Sequence, residues 1–135
     1  MLTEQELNEL LEKDHYATKI TGIRIEELTP ERSVCSLNIT EDHLNFLGHV
    51  MGGVLFTLAD FCFGVLSNAR QPGTVTLSSQ IQFLASPKGR RLVAETRPLR
   101  QGRRISFYET SIYDEDGTHL AAVSNTGYYS SRTRV

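Results

Sequence analysis

Asp60 is the residue whose setting most demands an explanation. It is the only charged side chain between Val50 and Leu66, a stretch otherwise made of Val, Leu, Phe, Ala, Cys and Gly with Met51 and Thr57. Taking a carboxylate out of water costs on the order of several kcal/mol unless it is hydrogen-bonded or faces a cleft. On a helix its neighbours three and four residues away are Phe56, Thr57, Phe63 and Gly64. A carboxylate in such surroundings suits general-base work. The structural alternative is an Asp at the solvent end of a helix, or one bonded to strand backbone. Met51-Gly52-Gly53 stands at the start of the same stretch. The first amides of a helix have no intrahelical partner and point along the positive end of its dipole, and glycine lets another group come close. That arrangement can polarise a carbonyl; on spacing alone the Gly pair reads equally as tight packing.

Gly52 and Asp60 are eight residues apart, about 12 Å at the helical rise. One carbonyl cannot reach both on the same helix, so joint action requires two chains. The other reactive side chains are less suggestive. His15, His43, His49 and His119 show no metal-ligand spacing with Cys35 and Cys62, so no metal is expected, and Cys62 reads as packing. Between residues 88 and 104 there are seven bases and one acid, Glu95. That run reads as a solvated strand edge or as a patch for an anionic partner.

The elements around these residues follow from periodicity and composition. A chain of 135 residues, 39% hydrophobic and 22% charged, is the size of one domain with its own core. A net charge of −2 argues against nucleic-acid binding driven by bulk charge. Two cysteines fit a reducing, cytoplasmic setting, and the acidic first fourteen residues lack the apolar core of a signal peptide. The Val50–Leu66 run touches the length of a membrane span, but its three Gly, Thr57 and Asp60 favour a buried helix, and no membrane association is expected. Thr3 and Glu6 have capping-box spacing before a Leu7, Leu10, Leu11 stripe. Strands are predicted over 19–28 and 32–40, then a loop, the long helix over 51–68, and a meander of four strands near 75–85, 91–100, 105–113 and 120–129, with a frayed tail. In the first of these four, Thr76 falls on a polar face with Thr74, Ser78, Gln80 and Gln82. The whole, residues 1–135, reads as a single α+β domain. A helix apolar nearly all round exceeds what one sheet covers, so a second copy of the chain is the expected cover.

Asn45-Phe46-Leu47-Gly48-His49-Val50-Met51-Gly52-Gly53, followed by Leu58-Ala59-Asp60, resembles the signature of the hotdog-fold thioesterases, in particular the PaaI-like branch. The family pattern is Asn-x-x-Gly-x-x-His-Gly-Gly, then an Asp seven residues after the last Gly. Thr76 through Phe83-Leu84, Pro87, Gly102-Arg103 and Asp116-Gly117 also fit, and the resemblance spans about residues 10–130. Met51 departs from it, standing where the family has His. The resemblance implies a long central helix wrapped by a curved antiparallel sheet of five to six strands, and an acyl-CoA thioesterase acting as a homodimer or dimer of dimers. It implies no cofactor beyond the coenzyme A of the substrate. It assigns Asp60 as general base or nucleophile, the Gly52 amide as oxyanion donor, Asn45 as orienter of substrate or water, and Thr76 as the hydroxyl beside Asp60. Met51 and Gly53 would line the substrate site, and Lys88 and Arg103 would meet the phosphates of coenzyme A. The loss of the His keeps a second reading open, an acyl-CoA-binding domain without turnover.

Overall fold

The computed structural model describes residues 3–130; the predicted frayed tail lies, beyond Ser130, outside the described residues. Helix α1 (Glu4–Leu11) starts as its capping box requires: Glu6 N–H donates to Thr3 Oγ1 at 3.1 Å, and Thr3 N–H donates to Glu6 Oε2 at 2.9 Å. Its Leu7 is fully buried. The strand expected from residue 19 begins later. Residues Tyr16–Ile20 form a π-helical turn, closed by Thr21 N–H and Thr21 Oγ1, both donating to Tyr16 O at 2.9 Å. Gly22 then takes φ of 79°, a left-handed conformation that side chains resist, and turns the chain into the sheet.

Strands β1 (Arg24–Thr29) and β2 (Arg32–Asn38) form a hairpin. After a short 3-10 turn at Glu41–His43, helix α2 (Gly52–Arg70) runs two residues past its predicted end. Asn68 caps that end. Its Nδ2 donates to Gly64 O and Thr74 O, and its Oδ1 accepts Gly73 N–H at 2.9 Å. Strands β3 (Val75–Phe83), β4 (Arg91–Gln101), β5 (Ile105–Asp114) and β6 (His119–Tyr128) follow.

All six strands form one antiparallel sheet in the order β1-β2-β4-β5-β6-β3. The predicted four-strand meander is therefore a three-strand one, β4-β5-β6, and β3 lies at the far edge against β6. The side of β2 away from β1 is taken by β4, where Cys35 faces Ala94 and Leu37 faces Leu92. The sheet wraps α2, and Leu58, Ala59, Cys62, Val65 and Leu66 of the helix are completely inaccessible. With its length and apolar composition α2 could pass for a membrane span, but in this fold it is the core helix.

The helix is less apolar on its open side than its composition suggested. Gly53 and Asp60 are exposed, and Phe56, Thr57 and Gly64 are half-buried. Its large residues Leu55, Leu58, Phe61, Phe63 and Leu66 are already covered within one chain. Exposed large apolar residues lie elsewhere: Phe46 is 96% exposed, Leu47 68%, Leu77 59%, Met51 58% and Phe83 55%, on the loop before α2 and on edge strand β3, and Tyr16, Ile20 and Leu99 are exposed on other elements.

Candidate active site

Asp60 and Thr76 meet although sixteen residues separate them: Thr76 Oγ1 donates to Asp60 Oδ1 at 3.0 Å. A β-bulge brings them together. Thr76 pairs with Gly127, but Ser78, two residues on, pairs with Thr126, leaving Leu77 as the extra residue. The insertion shifts the inward phase of β3 by one residue. Thr76 points to the helix side with Gly127, and beyond the bulge Ser79, Ile81 and Phe83 take that side opposite Asn125, Val123 and Ala121. The polar face predicted for Thr76 with Ser78, Gln80 and Gln82 is thus corrected: those three share a face, and Thr76 is turned away from them. The expected burial of Asp60 is corrected as well, because its carboxylate is exposed in the single chain. It stands at the rim of a cavity of about 320 Å³ whose walls are Leu7, Leu10 and Leu11 of α1, Phe61 and Phe63 of α2, and Val75 of β3.

The second half of the site lies at the N-terminus of α2. Asn45 Oδ1 accepts Leu47 N–H at 2.9 Å and His49 N–H at 3.1 Å, and Gly48 turns the loop with φ of 79°. Asn45 thereby shapes its own loop, leaving its Nδ2 as the group able to face a ligand. His43 anchors the loop from behind: Nδ1 accepts Thr40 N–H, Nε2 lies 2.9 Å from Thr21 O, and His43 O accepts Met51 N–H. Met51 is the N-cap of α2, and its thioether makes no capping hydrogen bond. The first-turn amides of Gly52 and Gly53 are therefore not consumed by a side-chain cap of the usual Ser, Thr, Asp or Asn kind. A Cβ on Gly52 would lie 3.0 Å from Cζ of Phe83. The close-packing reading of Gly52 thus holds alongside the chemical one. Val50, Gly52, Leu55, Phe83 and Pro87 line a cleft of about 380 Å³ here.

The two hollows share no lining residue. The chain unites Asp60 with Thr76, and Asn45 with Met51, Gly52 and Gly53, but it does not unite the two groups. The two basic residues divide in the same way. Lys88 and Arg103 are both exposed, before and after the eleven residues of β4, hence roughly 30 Å or more apart. Lys88 follows the Pro87 wall of the Gly52 cleft. Arg103 lies at the other end, in the turn before Ser106, which pairs with Gly127 beside Thr76. Two other bases of the run are engaged in ion pairs, Arg91 with Glu26 at 2.8 Å and Arg97 with Glu95 at 2.6 Å.

Sequence reasoning missed three contributors. Phe83 covers Gly52. Glu115 receives Arg90 N–H at 2.7 Å and Arg91 N–H at 3.0 Å, clamping the loop that carries Pro87 and Lys88, and its carboxylate occupies the space a side chain on Gly89 would need. The Arg90 amide foremost holds this carboxyl below the usual carboxylate range. The leucines of α1 wall the cavity behind Asp60. The leucine stripe was a legible signal for the last; the other two depend on loop placement.

Residues 47–121 match the family profile described as the thioesterase superfamily. A protein of Deinococcus radiodurans, provisionally named an esterase, is 33% identical over 80% of this chain and 75% of its own length. Mouse acyl-coenzyme A thioesterase 13 is 25% identical over 81% of this chain and 78% of its own. Among solved structures, the PaaI protein from the phenylacetic acid degradation operon of Escherichia coli superposes with a TM-score of 0.87 at 22% identity, covering 96% of this chain and 94% of that one. A hypothetical thioesterase of Streptococcus pneumoniae, solved with coenzyme A, gives 0.79 at 25% identity over 87% and 95%. With the hotdog architecture of one central helix in a six-stranded antiparallel sheet, and with this match over more than half its length, the chain belongs to the thioesterase superfamily, whose reaction is thioester hydrolysis.

Proposed function

We propose that the protein hydrolyses acyl-CoA thioesters to free acid and coenzyme A at a site shared between two copies of the chain. The observation that carries this reading is the exposed Asp60 carboxylate, held by Thr76 Oγ1 at the rim of an apolar cavity. The Streptococcus neighbour solved with coenzyme A supports the choice of thioester.

In this reading one chain supplies Asp60 and Thr76, and its partner supplies Gly52 and Asn45. The thioester carbonyl oxygen points at the Gly52 amide, where the unpaired N–H and the helix dipole stabilise the charge that develops on it. Asp60 takes a proton from a water that attacks the carbonyl carbon, or attacks that carbon itself; Thr76 fixes the orientation of the carboxylate. Asn45 Nδ2 orients the substrate or the water. The carbon–sulfur bond then breaks and coenzyme A leaves as its thiolate, which takes up the proton held by Asp60 or one from solvent. Where Asp60 itself attacked, water hydrolyses the acyl–Asp60 anhydride, releasing the free acid and restoring the carboxylate. Met51 and Gly53 flank the acyl group at the mouth. In the same reading Lys88 of one chain and Arg103 of the other meet the phosphates of coenzyme A, in keeping with Lys88 lying beside the Gly52 cleft and Arg103 at the Thr76 end of the sheet. The exposed edge of β3 and the apolar Phe46, Leu47, Leu77 and Phe83 are the surfaces such a homodimer would cover, singly or as a dimer of dimers. The site needs no cofactor of its own in this reading, and a cytoplasmic location fits the two free cysteines.

The test is thiol release from a panel of acyl-CoAs by wild type and Asp60→Asn. Wild type is expected to turn over at least one acyl-CoA, with kcat reduced by a factor of roughly a hundred or more in the variant, the lower range for a positioned acid–base group. Near-wild-type turnover by Asp60→Asn would remove Asp60 from the mechanism. Tight acyl-CoA binding without turnover by wild type would replace hydrolysis with sensing.

A further inference from the structure

We infer that Gly64 is the floor of the acyl pocket and sets the size of the acyl group that the enzyme accepts. The inference rests on the reading of Asp60 as the group that acts on the thioester. Gly64 lies one helical turn beyond Asp60, on the same open face of α2. Both line the cavity walled by the α1 leucines, Phe61, Phe63 and Val75. A Cβ built on Gly64 meets no heavy atom of the surrounding fold within 4 Å, whereas one built on Gly52 runs into the Phe83 ring. The missing side chain at Gly64 therefore serves no packing purpose inside the chain, although a glycine in a helix interior weakens the helix. What it leaves is space, directly beside a carboxylate that has a hydroxyl partner. The walls around that space are apolar apart from Asp60, Thr76, Asn68, Thr74 and the rim carboxylate Asp14. Asn68 is fully engaged with Gly64 O, Thr74 O and Gly73 N–H, and Thr74 Oγ1 donates to Gln71 O at 2.7 Å.

A volume of about 320 Å³ stands at the small end of the range for ligand pockets, roughly 300–1,000 Å³. The acyl class it fits is a compact apolar group, a short alkyl chain or a single ring, with the thioester at the Asp60 rim. A long-chain acyl group would exceed it.

The experiment compares kcat/KM for acetyl-, butyryl-, hexanoyl-, benzoyl- and palmitoyl-CoA in wild type, Gly64→Ala, Gly64→Leu and Leu10→Ala. The read quantity is the ratio of the preferred acyl-CoA to acetyl-CoA, which cancels a general loss of activity. An added methyl in an apolar pocket discriminates by about tenfold or more. The ratio is expected to fall roughly tenfold in Gly64→Ala and roughly a hundredfold in Gly64→Leu, mainly through KM. Leu10→Ala, which widens the cavity, is expected to move the preference to a larger acyl group. Because Gly64→Ala removes a helix-weakening glycine and meets no neighbour, its Tm is expected to rise by about 2–4 °C. An unchanged acyl ratio in Gly64→Leu overturns the inference while leaving Asp60 in place. A fall in Tm or a loss of assembly in Gly64→Ala also overturns it, since a partner chain would then fill the space. Wild-type turnover by Asp60→Asn overturns the reading of Asp60 and the pocket assignment with it.

Discussion

Combining two crippled chains measures whether the site is shared. The perturbation is a pair of substitutions, Asp60→Ala in one chain and Asn45→Ala in another, one in each of the two halves that the fold keeps separate. Gly52 and Asp60 stand eight residues apart on α2, about 12 Å along the axis, and the hollows beside them have no lining residue in common. Asn45 belongs with Gly52, because its Oδ1 holds the amides of Leu47 and His49 in the loop that leads into the helix. In a homodimer of either variant both sites are damaged, and the Asp60→Ala background is expected near one per cent of wild type, from a loss of roughly a hundredfold. In a heterodimer one site collects both lesions and the other collects neither. Random pairing makes about half of the dimers heterodimers, each with one intact site of two, so about a quarter of wild-type activity should return if the sites act independently. That recovery is far above the background. The assay is co-refolding of differently tagged chains, quantification of the heterodimer, and thiol release from the preferred acyl-CoA. No recovery with heterodimers confirmed, or a folded monomer active at nanomolar concentration, would refute the shared site.

Met51→His restores the family residue at the N-cap of α2, where the present side chain is 58% exposed and caps nothing; kcat is expected to rise on at least one acyl-CoA, and identical kcat and KM across a panel would show that the departure is neutral. Leu58→Ala empties a completely buried position of α2 and should cost about 2–5 kcal/mol in urea unfolding, with a loss under 1 kcal/mol contradicting the packing described here. Glu115 is held below its ordinary value chiefly by the Arg90 amide, so its folded pKa lies under its unfolded one. Its contribution is therefore complete above the usual Glu value of about 4.3 and is lost as pH falls through the lowered folded value. The Tm gap between wild type and Glu115→Gln should be widest near neutrality and close in acid; a gap constant from neutral to strongly acidic pH would show that the clamp does not depend on charge.

Much of this architecture is legible in the chain itself. Thr3 and Glu6 announce the capping box, the apolar run around Asp60 announces a core helix, and the alternation from Arg91 to Tyr128 marks three strands, because each signal is a periodicity written over a few consecutive residues. The Asn45 to Asp60 segment pointed to the candidate site through its resemblance to the family signature, which is itself a local pattern on one loop and one helix. The placement of Thr76 is different in kind. Its alternation with Ser78 and Gln80 predicts a shared face, and the bulge at Leu77 overrides that prediction. A bulge is a property of the pairing between β3 and β6, whose partners lie some fifty residues away, so no window of β3 contains it. The edge position of β3, the Phe83 ring over Gly52, and the open face of α2 with Asp60 exposed and Gly64 half-buried depend on the same long-range choices. Sequence alone determined which residues are chemically capable and which elements carry them. The tertiary structure decided which ones meet, because register and strand order are settled by what packs against what across the whole sheet.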